Sequence, residues 1–413
     1  MKKNGILFLF VYLCTGLGAV AQDWPEVSPE ARPGSRWWWL GSAVDKENLT
    51  YNLKAYGQAG LGSLEVTPIY GVKGNESKNI PFLSPEWMEM FRYAQQEGKK
   101  YGIELDMNTG TGWPFGGPEV SLRQAAAKAI FECYEVTGGK TVKLEVDIRN
   151  PKERKQREIA YLDCLMAYGP KGETVNLTGK VSEGLLNWKA PEGDWKLVAL
   201  FVGRTLQKVK RAAPGGEGYV MDHFSPVAVK SYLQKFDKAF KDNGVSYPRT
   251  FFNDSYEVYG ADWTPAFLKE FAKRRGYRLE EHFLDFIAPE PTETTRRLIA
   301  DYRETLGELL VENFTHAWTQ WAHAHGSTTR NQAHGSPANL IDTYAAVDIP
   351  ECEGFGLTDF QVKGLRQDSL TRPNFSDISM LKYASSAAHI AGKPYTSSET
   401  FTWLTEHFRT SLS

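Results

Sequence analysis

Cysteine is scarce in this sequence, with four among 413 residues. One of them, Cys14, lies in the apolar stretch near the N-terminus, which leaves Cys133, Cys164 and Cys352. Three thiols at irregular spacing exclude a disulfide framework and offer no paired metal motif. A single bridge between Cys133 and Cys164, both in strand-like segments, and three buried thiols are both open. Charge of one sign is also missing: 48 Lys and Arg stand against 50 Asp and Glu, for a formal net charge of −2. With no basic stripe and no recognisable module, nucleic acid is excluded as a partner. There is no internal repeat and no low-complexity linker. Beyond the first residues no run is long and apolar enough to span a bilayer. The Gly-rich turn at 110–117 lacks the Lys-Ser/Thr ending of a phosphate loop and carries Trp113 and Pro114, which excludes that motif.

Of the segments that are present, the first is a leader. Met1-Lys2-Lys3 is followed by an apolar stretch from Gly5 to about Val20 and by Ala19-Val20-Ala21. A positive start, a short apolar run and a small-x-small end make a secretory signal peptide over residues 1–21, with Gln22 first in the mature chain. The residues before Cys14 (Val11-Tyr12-Leu13) make a poor lipobox. The expected location is therefore secreted or periplasmic. Aromatic content is high, at 13% with 12 Trp and 19 Tyr. Part of it is core, and part suits a surface that stacks on the C–H faces of sugar rings.

Strand-like and helix-like stretches then alternate. Arg36–Leu40 reads as a strand and 45–59 as a helix capped by Asp45 and stopped by Gly60. Leu61–Ile69 is a second strand. Ser84 and Pro85 open a helix with Trp87, Met88, Phe91 and Ala94 on one face, and Gly102–Met107 is a third strand. From 127 to 212 the helical pattern vanishes and strands follow one another, as in an inserted antiparallel β subdomain. Alternation resumes with Gly218–His223, a helix over 226–241, Thr250–Asn253, a helical region over 264–276 and a long helix over about 293–325. After these come Ser327–Gln332, Ala345–Pro350, a helix over 376–391 and Pro394–Ser398. About seven candidate parallel strands imply an α/β fold of (β/α)8 TIM-barrel type. The barrel is interrupted at 127–212 between a first part (22–126) and a continuation (213–413). The sequence stops at Ser413, inside an expected seventh helix from Trp403 and before an eighth strand, so a truncated, poorly stable barrel is expected. An open doubly wound sheet is the alternative; acidic residues at so many strand ends favour the barrel.

Catalytic groups in such barrels sit at the C-terminal ends of strands, and polar residues collect there. Asp254 and Glu257 follow Thr250–Asn253; Glu351 and Glu353 follow Ala345–Pro350; Glu399 follows Pro394–Ser398; Asp222 closes Gly218–Met221; and 327–335 supplies Arg330, Asn331, Gln332 and His334. Among the tryptophans of 37–39, Trp38 is read as facing the pocket. Several carboxylates around one cavity suit glycoside hydrolysis, in which one acid protonates the leaving oxygen and a second carboxylate activates water or attacks. Like charges and burial raise a carboxyl's pKa, as a general acid needs. The same oxygens could hold Ca²⁺. Against each stands a plainer role: a strand-end Glu as surface or cap, Asp254 as a turn former, His334 as a hydrogen-bonded structural group.

The segments at 29–66, 109–120 (TGTGWPFGGPEV), 253–277 (NDSYEVYGADWTPAFLKEFAKRRGY), 347–356 (VDIPECEGFG) and 387–403 (AAHIAGKPYTSSETFTW) together resemble glycoside hydrolase family 106, the α-L-rhamnosidases. The resemblance implies a (β/α)8 catalytic domain, inverting hydrolysis of terminal α-L-rhamnosides on oligo- or polysaccharides, and a calcium ion that helps bind the sugar hydroxyls. Carried onto this chain, it makes Glu257 the general acid and Glu399 the base. Glu351, Glu353 and Glu399 become candidate calcium ligands, the first two also candidates for swapped catalytic duty. Asp222, Asp254, Asn331, His334 and Trp38 become sugar contacts. Family members are longer, so a missing C-terminal portion is expected as a further partner.

Overall fold

The computed structural model describes residue 27 and residues 31–353 and 376–399. The leader read over 1–21 and the helix read from Trp403 lie outside the described residues. Local signals in the first third act as the sequence implies. Asp45 accepts a hydrogen bond from the Asn48 amide at 2.9 Å and caps helix α1 (Lys46–Gln58), which buries Leu49 and Leu53. Ser84 caps helix α2 (Pro85–Lys100) through the Trp87 amide, with Pro85 at the first position. The buried face of α2 is Trp87, Met88, Phe91 and Ala94. These helices connect strands β1 (Gly34–Leu40), β2 (Ser63–Ile69) and β3 (Glu104–Asn108), which pair in parallel, Trp37 opposite Val66 and Val66 opposite Met107.

Four more strands extend the sheet: β4 (Thr250–Asn253), β5 (Thr328–Asn331), β6 (Ile349–Glu353) and β7 (Ser397–Glu399). All neighbours are parallel and spatial order equals chain order. A doubly wound sheet reverses its order at a switch point; this one never does. It is a curled parallel half-barrel, and an ion pair between Arg36 on β1 and Glu399 on β7 bridges its first and last strands at 3.0 Å. Strand alternation divides each strand between two environments. Trp37, Trp39, Leu64, Val66, Leu105, Met107 and Phe251 join the helices in the main apolar core. The residues between them, among them Arg36, Glu65, Asp106 and Arg330, turn to the concave side.

The segment after β3 forms two antiparallel sheets. Ala127–Thr137, Asp194–Arg204, Tyr161–Tyr168 and Thr174–Asn176 lie side by side, and Thr141–Glu145, Leu185–Lys189 and Val181–Ser182 make the second sheet. Between them sits a separate core containing Leu165, Leu186, Trp188, Trp195 and Leu197. Strand Asp194–Arg204 serves both cores: Leu197, Ala199 and Phe201 enter the small one, Val198, Leu200 and Val202 the main one. The Tyr168 hydroxyl donates to the Glu280 carbonyl at 2.6 Å and ties the insertion to the helical layer.

Three expectations change. Gly218–His223 is no parallel strand. Tyr219–Val220 pairs antiparallel with Gly116–Gly117, while β4 takes the place beside β3. A Cβ at Gly116 would stand 2.4 Å from the Tyr219 carbonyl oxygen, so only glycine permits that approach. The long helix is Glu293–Leu310 and Ala317–Ala324 joined by a π-helical turn, Val311–His316, which apolar periodicity does not reveal. Cys133, Cys164 and Cys352 are all free thiols, with Cys133 exposed.

Candidate active site

The concave side of the sheet is ionic from its floor upward. Arg330 on β5 spans it, pairing with Glu65 on β2, with Asp106 on β3 at 3.3 Å and with Glu351 on β6 at 2.9 Å. Arg249, just before β4, makes a two-pronged contact with Asp106 at 2.9 and 2.7 Å. Burial pushes the Glu65 carboxyl above the ordinary glutamate range against the pull of Arg36 and Arg330.

On β1, in register with Glu65, Arg36 is a second hub. Its guanidinium pairs with Glu65 at 3.4 Å, Asp254 at 3.2 Å and Glu399 at 3.0 Å, and lies 5.0 Å from the centre of the Phe252 ring. Gln332 is buried and its Nε2 donates to Glu351 at 2.8 Å and to Glu399 at 2.7 Å. Glu351 also accepts from the Ser397 hydroxyl at 2.6 Å. His334 Nε2 stands 2.8 Å from Glu353. Burial lifts Asp254 to about 6, with Arg36 opposing and Glu399 assisting; burial also raises Glu353. Asp254, Glu353 and Glu399 can each present an oxygen with all three within 4.8 Å of one another, an arrangement that could hold a metal ion. Carboxylate oxygens at that spacing match a hard cation. Arg36, Arg249 and Arg330 face six carboxyls here, three of which, Glu65, Asp254 and Glu353, burial holds above the ordinary carboxylate range.

The loops at the strand ends are locked to one another. The Tyr256 amide donates to the His334 carbonyl at 3.0 Å. Gly335, at φ +82°, passes so close that a Cβ would meet the Tyr256 carbonyl oxygen at 2.6 Å. This contact sets the height of 254–257 against 332–335. Glu257 lies at the rim, where it takes hydrogen bonds from Lys210, from the Tyr259 hydroxyl at 2.9 Å and from Ser255 at 3.3 Å. Burial works to raise this carboxyl, but the Lys210 and Tyr259 contacts and the Lys210 charge outweigh it. Glu257 therefore titrates below the ordinary range, opposite to what a general acid requires.

The sequence-read residues divide into two groups. Asp254, Glu353, Glu399, His334 and, beneath them, Glu351 come together. Trp38, 42% exposed, projects from the same face of β1 as Arg36, whose guanidinium lies 5.3 Å from its ring centre. Asn331 alternates away from Arg330 and Gln332 and pairs with Asn253 at 2.6 Å. Asp222 is buried elsewhere, accepting from Thr264 at 2.7 Å and from the Phe224 amide at 2.9 Å, and burial raises it to about 7. Both hold structure. Arg36 and Lys210 also pair with the carboxylates of the site, and residue type at strand ends points to neither. Period-two alternation along Arg36-Trp37-Trp38 signals Arg36; Lys210, at the exit of the insertion, has no local signal. A cavity of about 380 Å³ lined by Arg92, Gln95, Lys99, Glu104 and Arg249 lies at the opposite, N-terminal end of β3 and β4.

A family model described as alpha-L-rhamnosidase, that of glycoside hydrolase family 106, matches residues 26–163 and 166–411. The chain belongs to this family. Family 106 is a family of glycosidases, which agrees with the carboxylate-lined concave face. A relative in Formosa agariphila, named provisionally as a beta-glucuronidase, is 27% identical over 91% of the chain and 34% of its own length. A solved Novosphingobium rhamnosidase superposes with a TM-score of 0.75 at 16% identity, over 91% of the chain and 52% of that structure. At that identity the likeness shows the fold. The chain thus spans about a third of the curated relative and about half of the solved rhamnosidase.

Proposed function

We propose that this chain carries the sugar-binding and catalytic face of an exported, inverting α-L-rhamnosidase, with its half-barrel as the larger part of a (β/α)8 domain. The gathering of Asp254, Glu353 and Glu399 within 4.8 Å carries this reading, because it places an oxygen-only donor set at the strand ends where barrel chemistry occurs. Those three residues would hold calcium, which supplies a hard, oxygen-seeking centre for sugar hydroxyls. Glu351 is already engaged by Arg330, Gln332 and Ser397, and serves as a support. Trp38 and His334 would meet the sugar. The leader pattern Met1–Ala21 supports export.

Glu399 is assigned as base. Arg36 and Gln332 both donate to one of its oxygens, which fixes the direction of the carboxylate. It would take a proton from the water that attacks the anomeric carbon. Glu257 is assigned as acid, giving its proton to the departing oxygen. In the free chain Lys210 keeps Glu257 ionised, so a bound leaving group must draw Lys210 away before Glu257 can serve. The name of the Formosa relative raises a uronide as the sugar cleaved. The three arginines of the deep site are already paired with its own carboxylates, which leaves none of them to receive a uronate and favours a neutral deoxy sugar there.

The test is hydrolysis of α-L-rhamnosides with calcium and with chelator. Glu399→Gln is expected to cut nitrophenyl rhamnoside turnover by about 10²–10⁴. Glu257→Gln should do so for alkyl rhamnosides, whose leaving group needs a proton, and much less for the nitrophenyl compound. The opposite pattern would exchange the roles; binding of rhamnose without turnover would make the chain a carbohydrate-binding module.

A further inference from the structure

Outside the carboxylate cluster, the rim beside Glu257 has a different character. Arg211 is exposed and, among the described residues, forms no ion pair. Its backbone is left-handed, φ 56°, a conformation that non-glycine residues adopt rarely and that clusters at functional positions. Paired backbone holds it there: the Tyr70 amide donates to the Arg211 carbonyl at 3.0 Å, while Trp113 and Lys210 exchange hydrogen bonds at 3.2 and 2.8 Å. The guanidinium carbon is 5.6 Å from the centre of the Tyr70 ring and 5.8 Å from that of Trp113. Trp113 in turn adds to the contacts that stabilise the Glu257 carboxylate. Lys210 pairs with Glu257 and lies 4.5 Å from the centre of the Tyr259 ring. Tyr70 and Tyr259 are 46% and 59% exposed, so aromatic faces stand open beside two cations.

The general acid of a glycosidase lies against the leaving oxygen, so the groups on its outer side meet the leaving sugar. We propose that the leaving-group side of this site takes an acidic sugar, a uronic acid, whose carboxylate is received by Arg211 beside the Tyr70 and Trp113 rings. The guanidinium offers a fork of donors matched to a carboxylate, and the aromatic rings match the C–H face of the same sugar. The arginines of the deep site are engaged by its own carboxylates while Arg211 at the rim is not, so the two ends orient a rhamnosyl uronate in one direction only. The same carboxylate competes with Glu257 for Lys210, which frees Glu257 to hold the proton it must donate. This inference rests on the rhamnosidase reading for its orientation.

The experiment compares three disaccharides of α-L-rhamnose, linked to glucose, to glucuronate and to a sulfated glucose, by kcat/KM and by affinity in titration calorimetry. The wild-type chain should prefer the glucuronate compound over the glucose compound about tenfold, as one charge-assisted contact allows. Arg211→Gln should bring that ratio below about twofold, and Arg211→Lys should restore part of it. Equal preference in the wild type, a preference that survives Arg211→Gln, or one shown only for the sulfated compound would overturn the proposal. If no disaccharide is hydrolysed, the rhamnosidase reading fails; the order of affinities still decides the acidic subsite.

Discussion

The chain contains two β interiors built on opposite principles. Between the two sheets of the insertion lie Leu165, Leu186, Trp188, Trp195 and Leu197, all apolar. Inside the curled parallel sheet lie Glu65, Asp106, Arg330, Arg36, Glu351 and Glu399, joined by ion pairs. An apolar interior stabilises by removal from water. A buried ionic network gives little net stability compared with apolar side chains of the same volume. The sheet therefore bears an interior unfavourable for stability, and the outer, helix-covered face of the same strands compensates through Trp37, Trp39, Leu64, Val66 and Met107. The difference teaches that the two faces of one strand can be selected for separate ends, packing outside and chemistry inside.

Arg330→Ala should open the largest gap between the regions. It takes the shared cation from Glu65 and Asp106, which keep Arg36 and Arg249, and leaves Glu351 with no arginine among the described residues, at a cost of about 3–5 kcal/mol. Unfolding by urea should show this loss at pH 7 and a smaller one at pH 5, where Glu65, whose carboxyl burial already raises, can take up a proton. A loss under about 1 kcal/mol, within the usual range of a surface substitution, would mean the network is screened by water and the contrast is false. Leu197→Ala, in the insertion, should cost about 3 kcal/mol through its cavity. That loss should be the same at both pH values, because no titrating group is involved.

Much of this contrast is legible in the sequence. Capping at Asp45 and Ser84 and the stripe of α2 come from signals within one turn, and the switch to antiparallel strands after 127 from the loss of helical period. What escapes is long-range. Nothing near Lys210 announces Glu257, and nothing in TTRN says which of Arg330 and Asn331 faces inward; alternation sends Asn331 to Asn253. Asp222 follows a strand-like run, as barrel catalytic residues do, yet that run pairs with Gly116–Gly117 and the carboxyl is buried as a turn anchor. Residue type at a strand end points to the chemistry; register decides which residues can perform it.

The smallest effect separates burial from pairing at one carboxyl. Asp254 is raised from 3.8 to about 6, chiefly by burial, although Arg36 stands 3.2 Å away. An acid whose folded pKa lies above its unfolded value penalises folding as it ionises. The penalty is absent below about pH 4, grows as pH rises toward 6, and is complete above that, reaching about 3 kcal/mol at most from a shift of this size. Asp254→Asn removes it while keeping the shape. Without calcium the variant should be more stable than the wild type by about 1–3 kcal/mol at pH 7, with the gain fading toward pH 4. Added calcium should stabilise the wild type and leave the variant nearly unchanged, since binding to the native state alone raises stability and the variant lacks one of the three oxygens. A gain that persists at pH 4 would mean the substitution acts through packing. A calcium response equal in both proteins would place the ion away from Asp254.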